Sequence, residues 1–194
     1  MAVRAGILAF LALALTGPAA VAADMNAPLV LEATIPLKDV RGRIDHMAVD
    51  LVRRRLAVAE LGNDTVDVID LGTGRVVHRI ADLKEPQGVA FAAAADVLVV
   101  ANGDDGSVRF FGADDVTPVG RIDLGSDADN VRIDKNTGRV VVGYGAGGLA
   151  VIDPAARTKL ADVPLPVHPE GFQLAPDGKR AYVNLPDAWQ AAVV

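Results

Sequence analysis

The 194-residue sequence contains no cysteine. This absence excludes disulfide bridges, thiolate metal sites, a lipid-modified cysteine anchor and haem attached through Cys-x-x-Cys-His. Serine is nearly absent: neither Ser107 nor Ser126 has the Gly-x-Ser-x-Gly context that exposes a nucleophile. Basic residues are fewer than acidic ones, 19 against 25, for a net charge of −6. A nucleic-acid partner is not expected, because phosphate binding requires a basic patch.

Residues 1–23 have the pattern of a cleaved signal peptide. Arg4 supplies the positive start, residues 5–15 are an apolar run, and residues 20–23 offer a small-residue cleavage site. The apolar run is shorter than the roughly 20 residues that span a membrane, although an uncleaved anchor is the alternative. We therefore expect an exported protein, periplasmic or secreted from a bacterium, with no membrane span after cleavage.

The rest of the chain repeats one unit. Segments aligned at Met47, Val89, Val131 and Phe172 follow one another at spacings of 42, 42 and 41 residues. Each unit holds short β-branched segments separated by Gly, Asp, Asn and Pro, which are turn formers. Four strands in about 40–45 residues are typical of one β-propeller blade. A helical solenoid of the same period would show apolar residues at i, i+3 and i+4, and these segments do not.

The sequence therefore predicts an all-β propeller, residues 24–194, with about four consecutive four-stranded antiparallel blades. The repeats begin near residues 45, 87, 129 and 170, and the last is incomplete. Leu29–Pro36 resembles the fourth strand of a repeat, so we expect it to be a clasp strand that completes a blade. A closed four-bladed ring is one arrangement. The favoured one is an open arc from a longer chain of about seven blades and roughly 330 residues.

The second strands carry a family resemblance. Val99-Val100-Ala101-Asn102 and Tyr182-Val183-Asn184, with third strands that end in Val-Ile-Asp, resemble the YVTN-repeat, YncE-like periplasmic β-propellers. The resemblance covers nearly all of the chain from about Leu29, and it implies a binding or scaffold protein. The last position of the motif is Asn only at Asn102. The matching positions are specialised as Glu60, Tyr144 and Leu185.

Polar residues concentrate in two sets of loops that share one face of a propeller, those entering first strands and those joining second to third strands. Loops on a rigid scaffold commonly carry function, so we expect a ligand-binding rim around the channel mouth. His46, Gln87, Asn130 and Glu170 occupy matching places in the repeats, so we expect them to form a ring around this mouth. Tyr144 and Trp189 offer flat contact surfaces beside it. His46 and His168 each precede a buried strand, where secondary-structure propensity does not favour histidine. The predicted ligand-binding residues are His46, Gln87, Asn130, Glu170, Tyr144, Trp189 and His168. The alternative for many rim Asp and Asn residues is that they only cap turns.

The leading expectation is a protein that binds a small ligand, an ion or a periplasmic partner protein without chemistry of its own. The runner-up is a metal-dependent hydrolase similar to gluconolactonase-like propellers, which hold one divalent ion that activates water on a lactone. Its calcium-type ligands would be Asp45, Asp129, Asn130 and Glu170. A transition metal held by His46, His168 and a carboxylate is a further alternative, and so is a docking surface for a redox partner.

Overall fold

A computed structural model describes residues 29–194, and these form strands, loops and single turns of 3-10 helix. Contacts divide the chain after Thr34, and the unit Ile35–Val194 contains the strands that the structure describes. These strands form separate antiparallel sheets, here called blades, in which each strand pairs with the next in the chain. Three blades have four strands and the last has three, so the predicted propeller blades are confirmed.

The strand bounds follow the repeat. Blade 1 contains β1 (Met47–Asp50), β2 (Arg55–Glu60), β3 (Thr65–Asp70) and β4 (Arg75–Ile80). Blade 2 contains β5 (Pro86–Ala92), β6 (Val97–Asn102), β7 (Ser107–Gly112) and β8 (Pro118–Asp123). Blade 3 contains β9 (Ala128–Ile133), β10 (Val140–Tyr144), β11 (Gly148–Asp153) and β12 (Thr158–Pro164). Blade 4 contains β13 (Gly171–Leu174), β14 (Ala181–Leu185) and β15 (Gln190–Val193).

The core lies between blades. Phe110 and Phe111 are adjacent in β7 and both are buried, yet they pack into different clusters. Phe110 packs with Val142 and Ile152 of blade 3, whereas Phe111 packs with side chains of blade 1 that include Val66. Successive residues of a strand point to opposite faces of the sheet, so β7 packs against blade 3 through one face and against blade 1 through the other. The continuous apolar runs of the second and third strands reflect burial on both faces.

Aspartates close many of the outer turns. The carboxylate of Asp70 accepts hydrogen bonds from the amide and the hydroxyl of Thr73, and Asp134 binds Asn136 and Thr137 in the same way. These bonds satisfy backbone amides that the turn leaves without strand partners. On the rim, for which the turn-capping alternative was stated, Asp64 and Asp105 do the same, since they accept hydrogen bonds from the amides of Glu85 and Ser107.

Leu29–Pro36 is not a strand, and the clasp prediction is wrong for this structure. None of the described strand pairings includes the segment, and Leu29 is 89% exposed. A strand exists only where a partner accepts its backbone hydrogen bonds, and similarity to a repeat cannot supply that partner. Further along, the carbonyl of Lys38 accepts a hydrogen bond from Arg79, so the chain runs along the face of blade 1 as an irregular segment.

The two end blades each leave one face uncovered. Met47 of β1 is 62% exposed, whereas Val89, at the same place in blade 2, is buried against blade 1. Tyr182 of blade 4 is 49% exposed, whereas Val99 at the matching place is buried against blade 3. The blades therefore form an open arc, as the favoured arrangement predicted.

The predicted signal peptide lies outside the described residues. Between residues 29 and 194, no helix has the length and hydropathy needed to cross a bilayer.

Candidate ligand-binding rim

The innermost strands of blades 1, 2 and 3 enter their sheets through a β-bulge. In blade 2, Val89 pairs with Val100 but Pro86 pairs with Asn102, so Gln87 and Gly88 together lie opposite one residue. Blade 3 has the same irregularity, which places Asp129 and Asn130 together opposite Gly143. In blade 1, Ala59 bonds both Asp45 and His46 through its backbone. Bulges of this kind re-aim side chains at the rim of a sheet.

The strand register corrects the predicted ring. One structural position holds Asp45, Gln87, Asp129 and Glu170, and the next holds His46, Gly88, Asn130 and Gly171. The predicted set His46, Gln87, Asn130 and Glu170 therefore mixes two neighbouring positions. Both positions also follow from the repeat itself, since they lie two residues and one residue before the aligned Met47, Val89, Val131 and Phe172.

His46 and Asn130 meet at the centre of this rim. Nδ2 of Asn130 lies 3.3 Å from Nε2 of His46 and donates a hydrogen bond of 2.9 Å to the carbonyl of Glu170. An amide nitrogen can only donate, so Nε2 of His46 is the acceptor and its ring proton sits on Nδ1. That nitrogen lies 3.0 Å from Oδ1 of Asp45 and 3.9 Å from Oδ1 of Asp129. The rim thus joins blades 1, 3 and 4.

Two buried acceptor oxygens at this rim have no partner. Asp129 and Asn130 are 6% and 3% exposed, and Oδ1 of each makes no hydrogen bond within the described residues. Leaving such a group unsatisfied costs about 1–3 kcal/mol. Burial raises the pKa of Asp129 to about 6, with nearby Asp45 and Glu170 acting in the same direction. These two residues, here called the Asp129–Asn130 site, present negative charge and acceptors without donors.

Gln87 and His168 hold the rim loops together. The amide of Gln87 donates to Oδ1 of Asp127 at 3.2 Å. Nδ1 of His168 lies 2.8 Å from the carbonyl oxygen of Gly145 and 3.4 Å from Oδ2 of Asp127. Gln87 and His168, which were predicted to bind ligand, are therefore engaged in contacts between loops. Both of them contact Asp127, a residue of the polar rim loops that was not among the predicted ligand-binding residues.

Tyr144 and Trp189 are not gathered into the site. The hydroxyl of Tyr144 donates to Asp162 at 2.7 Å, and Lys159 binds the same carboxylate at 2.6 Å. These contacts hold the ring of Tyr144 against the outer strand of blade 3. Trp189 is 94% exposed and has a left-handed backbone, φ 58°, at the corner before β15. It offers a flat surface, but it does not line the cleft beside the Asp129–Asn130 site.

A cleft opens beside the Asp129–Asn130 site with a volume of about 410 Å³. Its walls include His46, Asn130, Arg132, Glu170, Phe172 and Tyr182. Glu170 is thus the predicted residue that the structure places beside His46 and Asn130. The cleft combines acceptor groups with two aromatic rings, and its wall is more polar than apolar.

Sequence reasoning also missed Arg132 of β9. Its guanidinium lies over the ring of Phe172 at 5.7 Å and donates to the carbonyl of Val131 at 2.9 Å. Burial lowers its pKa, and the charge of Asp129 opposes this shift. The signal was available in the repeat, because Ala48 and Ala90 occupy the same place in blades 1 and 2.

The predicted metal ligands do not converge. Within residues 29–194 there is no group of three or more His, Cys, Asp or Glu side chains placed to hold a metal ion. The calcium-type set Asp45, Asp129, Asn130 and Glu170 contains three carboxylates, so it is not assembled as a ready site. The imidazole of His46 lies beside both Asp45 and Asp129. His168, the other predicted transition-metal ligand, is bound to Gly145 and Asp127.

Comparisons with known proteins agree with the architecture. Among solved structures, Hydrazine Synthase of Kuenenia stuttgartiensis matches with a TM-score of 0.72 and 18% identity, over 85% of this chain and 49% of that one. A chain of the Mitotic Checkpoint Complex matches with a TM-score of 0.67 and 18% identity, over 74% of this chain and 46% of that one. The fold is a β-propeller arc. The chain spans about half the length of each of these neighbours.

No family model matches the sequence, and no curated protein does. At 18% identity the structural likeness shows the fold alone. Any assignment of function therefore has to come from the rim itself.

Proposed function

We propose that this chain is an exported, YVTN-type β-propeller that binds a small, positively charged ligand at the Asp129–Asn130 site and performs no chemistry of its own. The observation that carries the proposal is the pair of buried oxygens without partners. A ligand that donates hydrogen bonds to them would remove the cost of leaving them unsatisfied. Its positive charge would also offset the charge of Asp129.

The charges around the site favour a cation. Asp45 and Glu170 both act on the carboxyl of Asp129 and disfavour its charge. The guanidinium of Arg43 forms its ion pair with Asp45, and its charge acts on Asp129 and Glu170 only as smaller, longer-range contributions. A cation that displaces water from this site would interact with a carboxylate in a partly desolvated setting, where charge-assisted hydrogen bonds are strongest.

The hydrogen bonds of His46 favour binding over catalysis. A histidine that acts as a general base needs a free ring nitrogen within reach of the proton it removes. Nε2 of His46 accepts from the amide of Asn130. Nδ1, which carries the ring proton, lies 3.0 Å from Oδ1 of Asp45 without a hydrogen bond among the described residues, so neither nitrogen is free to remove a proton. The imidazole is thereby fixed as a positioning group for Asn130.

Titration calorimetry with phenethylamine, a simple organic ammonium, tests this proposal. We expect binding to the purified protein, and a loss of at least about tenfold in Asp129→Asn, since a hydrogen bond to a charged group contributes about 1.5–3 kcal/mol. Asp187→Asn, an exposed change outside the site, is the matched control. Equal affinity in both variants would place the ligand elsewhere, and calcium binding that depends on Asp129 would favour the metal-dependent alternative.

Export is a separate part of the proposal and depends on residues 1–23. Expression in a bacterium followed by fractionation and N-terminal sequencing would test it. We expect a periplasmic or secreted chain that begins near Asp24. A cytoplasmic chain that retains Met1 would contradict it.

A further inference from the structure

We propose that the cleft beside the Asp129–Asn130 site binds a zwitterion, a free α-amino acid with a large apolar side chain. Its ammonium group would lie at Asp129 and Asn130, and its carboxylate at Arg132. This inference rests on the proposed function and deepens it, because the site proposed above accounts for the positive half of the ligand only.

The acceptor end has a fixed orientation. Nδ2 of Asn130 lies between Nε2 of His46 and the carbonyl of Glu170. Turning the amide over would place its Oδ1 against that carbonyl oxygen, and two acceptors cannot form a hydrogen bond. Its Oδ1 is consequently an acceptor without a donor at the wall of the cleft, and Oδ1 of the adjacent Asp129, which is not itself a wall residue, has no donor either. An ammonium group has hydrogens for both oxygens, and Glu170 adds negative charge at the wall of the cleft.

The donor end is Arg132, which lies in the same strand two residues beyond Asn130. Alternate strand residues share a face and are about 7 Å apart, so one small molecule can reach both. The guanidinium carries five N–H groups, and its one hydrogen bond within the described residues goes to the carbonyl of Val131. It forms no ion pair with Asp129 or with any other carboxylate that the structure describes.

An unpaired, half-buried arginine is suited to a carboxylate, which its planar fork can bind through two parallel hydrogen bonds. The ring of Phe172 lies beneath this guanidinium and orients it. The charges at the two ends of the cleft are therefore opposite, and the α-amino acid backbone carries the complementary pair. A ligand with an ammonium group alone would leave Arg132 unpaired.

The rest of the cleft suits an apolar side chain. Phe172 is buried, Tyr182 is half exposed, and both rings line the cleft. A volume of about 410 Å³ lies within the usual range for small-molecule pockets and accommodates an aromatic amino acid. Aromatic rings in contact contribute about 0.5–1.5 kcal/mol beyond the area they bury.

Three matched probes separate the two halves of the ligand: L-phenylalanine, phenethylamine, which lacks the carboxylate, and 3-phenylpropionate, which lacks the ammonium group. Calorimetry with the purified protein should show L-phenylalanine binding at least about tenfold more tightly than either of the others, since each charged contact is of that order. In Arg132→Gln the affinities for L-phenylalanine and phenethylamine should become equal. In Asp129→Asn the preference for L-phenylalanine over 3-phenylpropionate should disappear.

Arg180→Gln, an exposed arginine of the same blade arc, is the matched control and should bind as the unchanged protein does. Circular dichroism melts of each variant separate lost binding from lost folding. If phenethylamine binds as tightly as L-phenylalanine to the unchanged protein, the zwitterion inference is overturned while the proposed function stands. If none of the three probes binds, both are overturned.

Discussion

Asn130 and His46 are 84 residues apart in the chain, yet the amide nitrogen of one lies 3.3 Å from Nε2 of the other. One residue enters blade 3 and the other enters blade 1, so this contact crosses the channel mouth past blade 2. The same amide nitrogen binds blade 4 through the carbonyl of Glu170. A single side chain therefore links three blades and fixes the orientation of the acceptor oxygens beside it.

The contact predicts the tautomer of His46. Because Nε2 accepts from Asn130, nitrogen NMR of the imidazole should show the proton on Nδ1 at neutral pH. In Asn130→Ala the hydrogen bond to Nε2 is lost, so we expect the Nε2 signal to shift while the proton stays on Nδ1 beside Asp45. His78, which lies in an outer strand, is the internal control and should not change between the two proteins. An unchanged His46 signal in the variant would contradict the assignment.

Asp129 predicts a specific pH dependence. Its pKa is raised to about 6 from 3.8, so the folded state binds this proton more tightly than the unfolded state does. The ionised carboxylate is destabilising at neutral pH, and its contribution to stability should rise as the pH falls from about 7 to about 4. Asp129→Asn removes the effect, so the difference in unfolding free energy between variant and unchanged protein should shrink by about 1–3 kcal/mol over that range.

Urea denaturation at several pH values measures this difference, and Asp187→Asn controls for a lost surface charge. Binding of phenethylamine should weaken as the pH falls through about 6, because the protonated carboxyl no longer attracts a cation. If the stability difference does not vary with pH, the carboxyl of Asp129 is hydrated in solution and its pKa is not raised.

The sequence was sufficient for the architecture and insufficient for the rim. A 42-residue period with four β-branched segments defines a blade because each blade must bury both faces against its neighbours, and Phe110 with Phe111 shows that burial directly. The bulges before Met47, Val89 and Val131 could not be predicted in this way. They depend on which backbone groups of the second strand are paired, and no residue type is specific for that pairing. Arg132 differs from the alanines at the matching places of blades 1 and 2, but it belongs to no sequence motif that indicates a binding site.

An ion pair of blade 1 with one buried member predicts an effect on stability. Asp67 is fully buried, and Arg79, whose side chain is 34% exposed, binds it through two hydrogen bonds of 2.7 Å. Arg79→Met leaves this carboxylate without its partner, and because water reaches the guanidinium we expect a cost of about 1–3 kcal/mol, below that of breaking a fully buried pair. Arg75→Met, an exposed change in the same strand, should cost less than about 0.5 kcal/mol. Chemical denaturation compares the two, and equal costs would show that Asp67 is hydrated.

Blades 2 and 3 approach so closely at Gly88 that the bulge has no room for a side chain. A Cβ atom at this position would lie 2.0 Å from the carbonyl oxygen of Asp129 and 2.7 Å from Val131. Gly88→Ala therefore has to displace the backbone of the Asp129–Asn130 site, and overpacking of this kind costs about 1–3 kcal/mol or more. Gly72→Ala is the control, because its Cβ would meet only a carboxylate oxygen at 3.4 Å. We expect the first variant to lose both stability and phenethylamine binding and the second to retain both. Retained binding in Gly88→Ala would mean that the site does not depend on the bulge, since the nearest backbone would have moved without consequence.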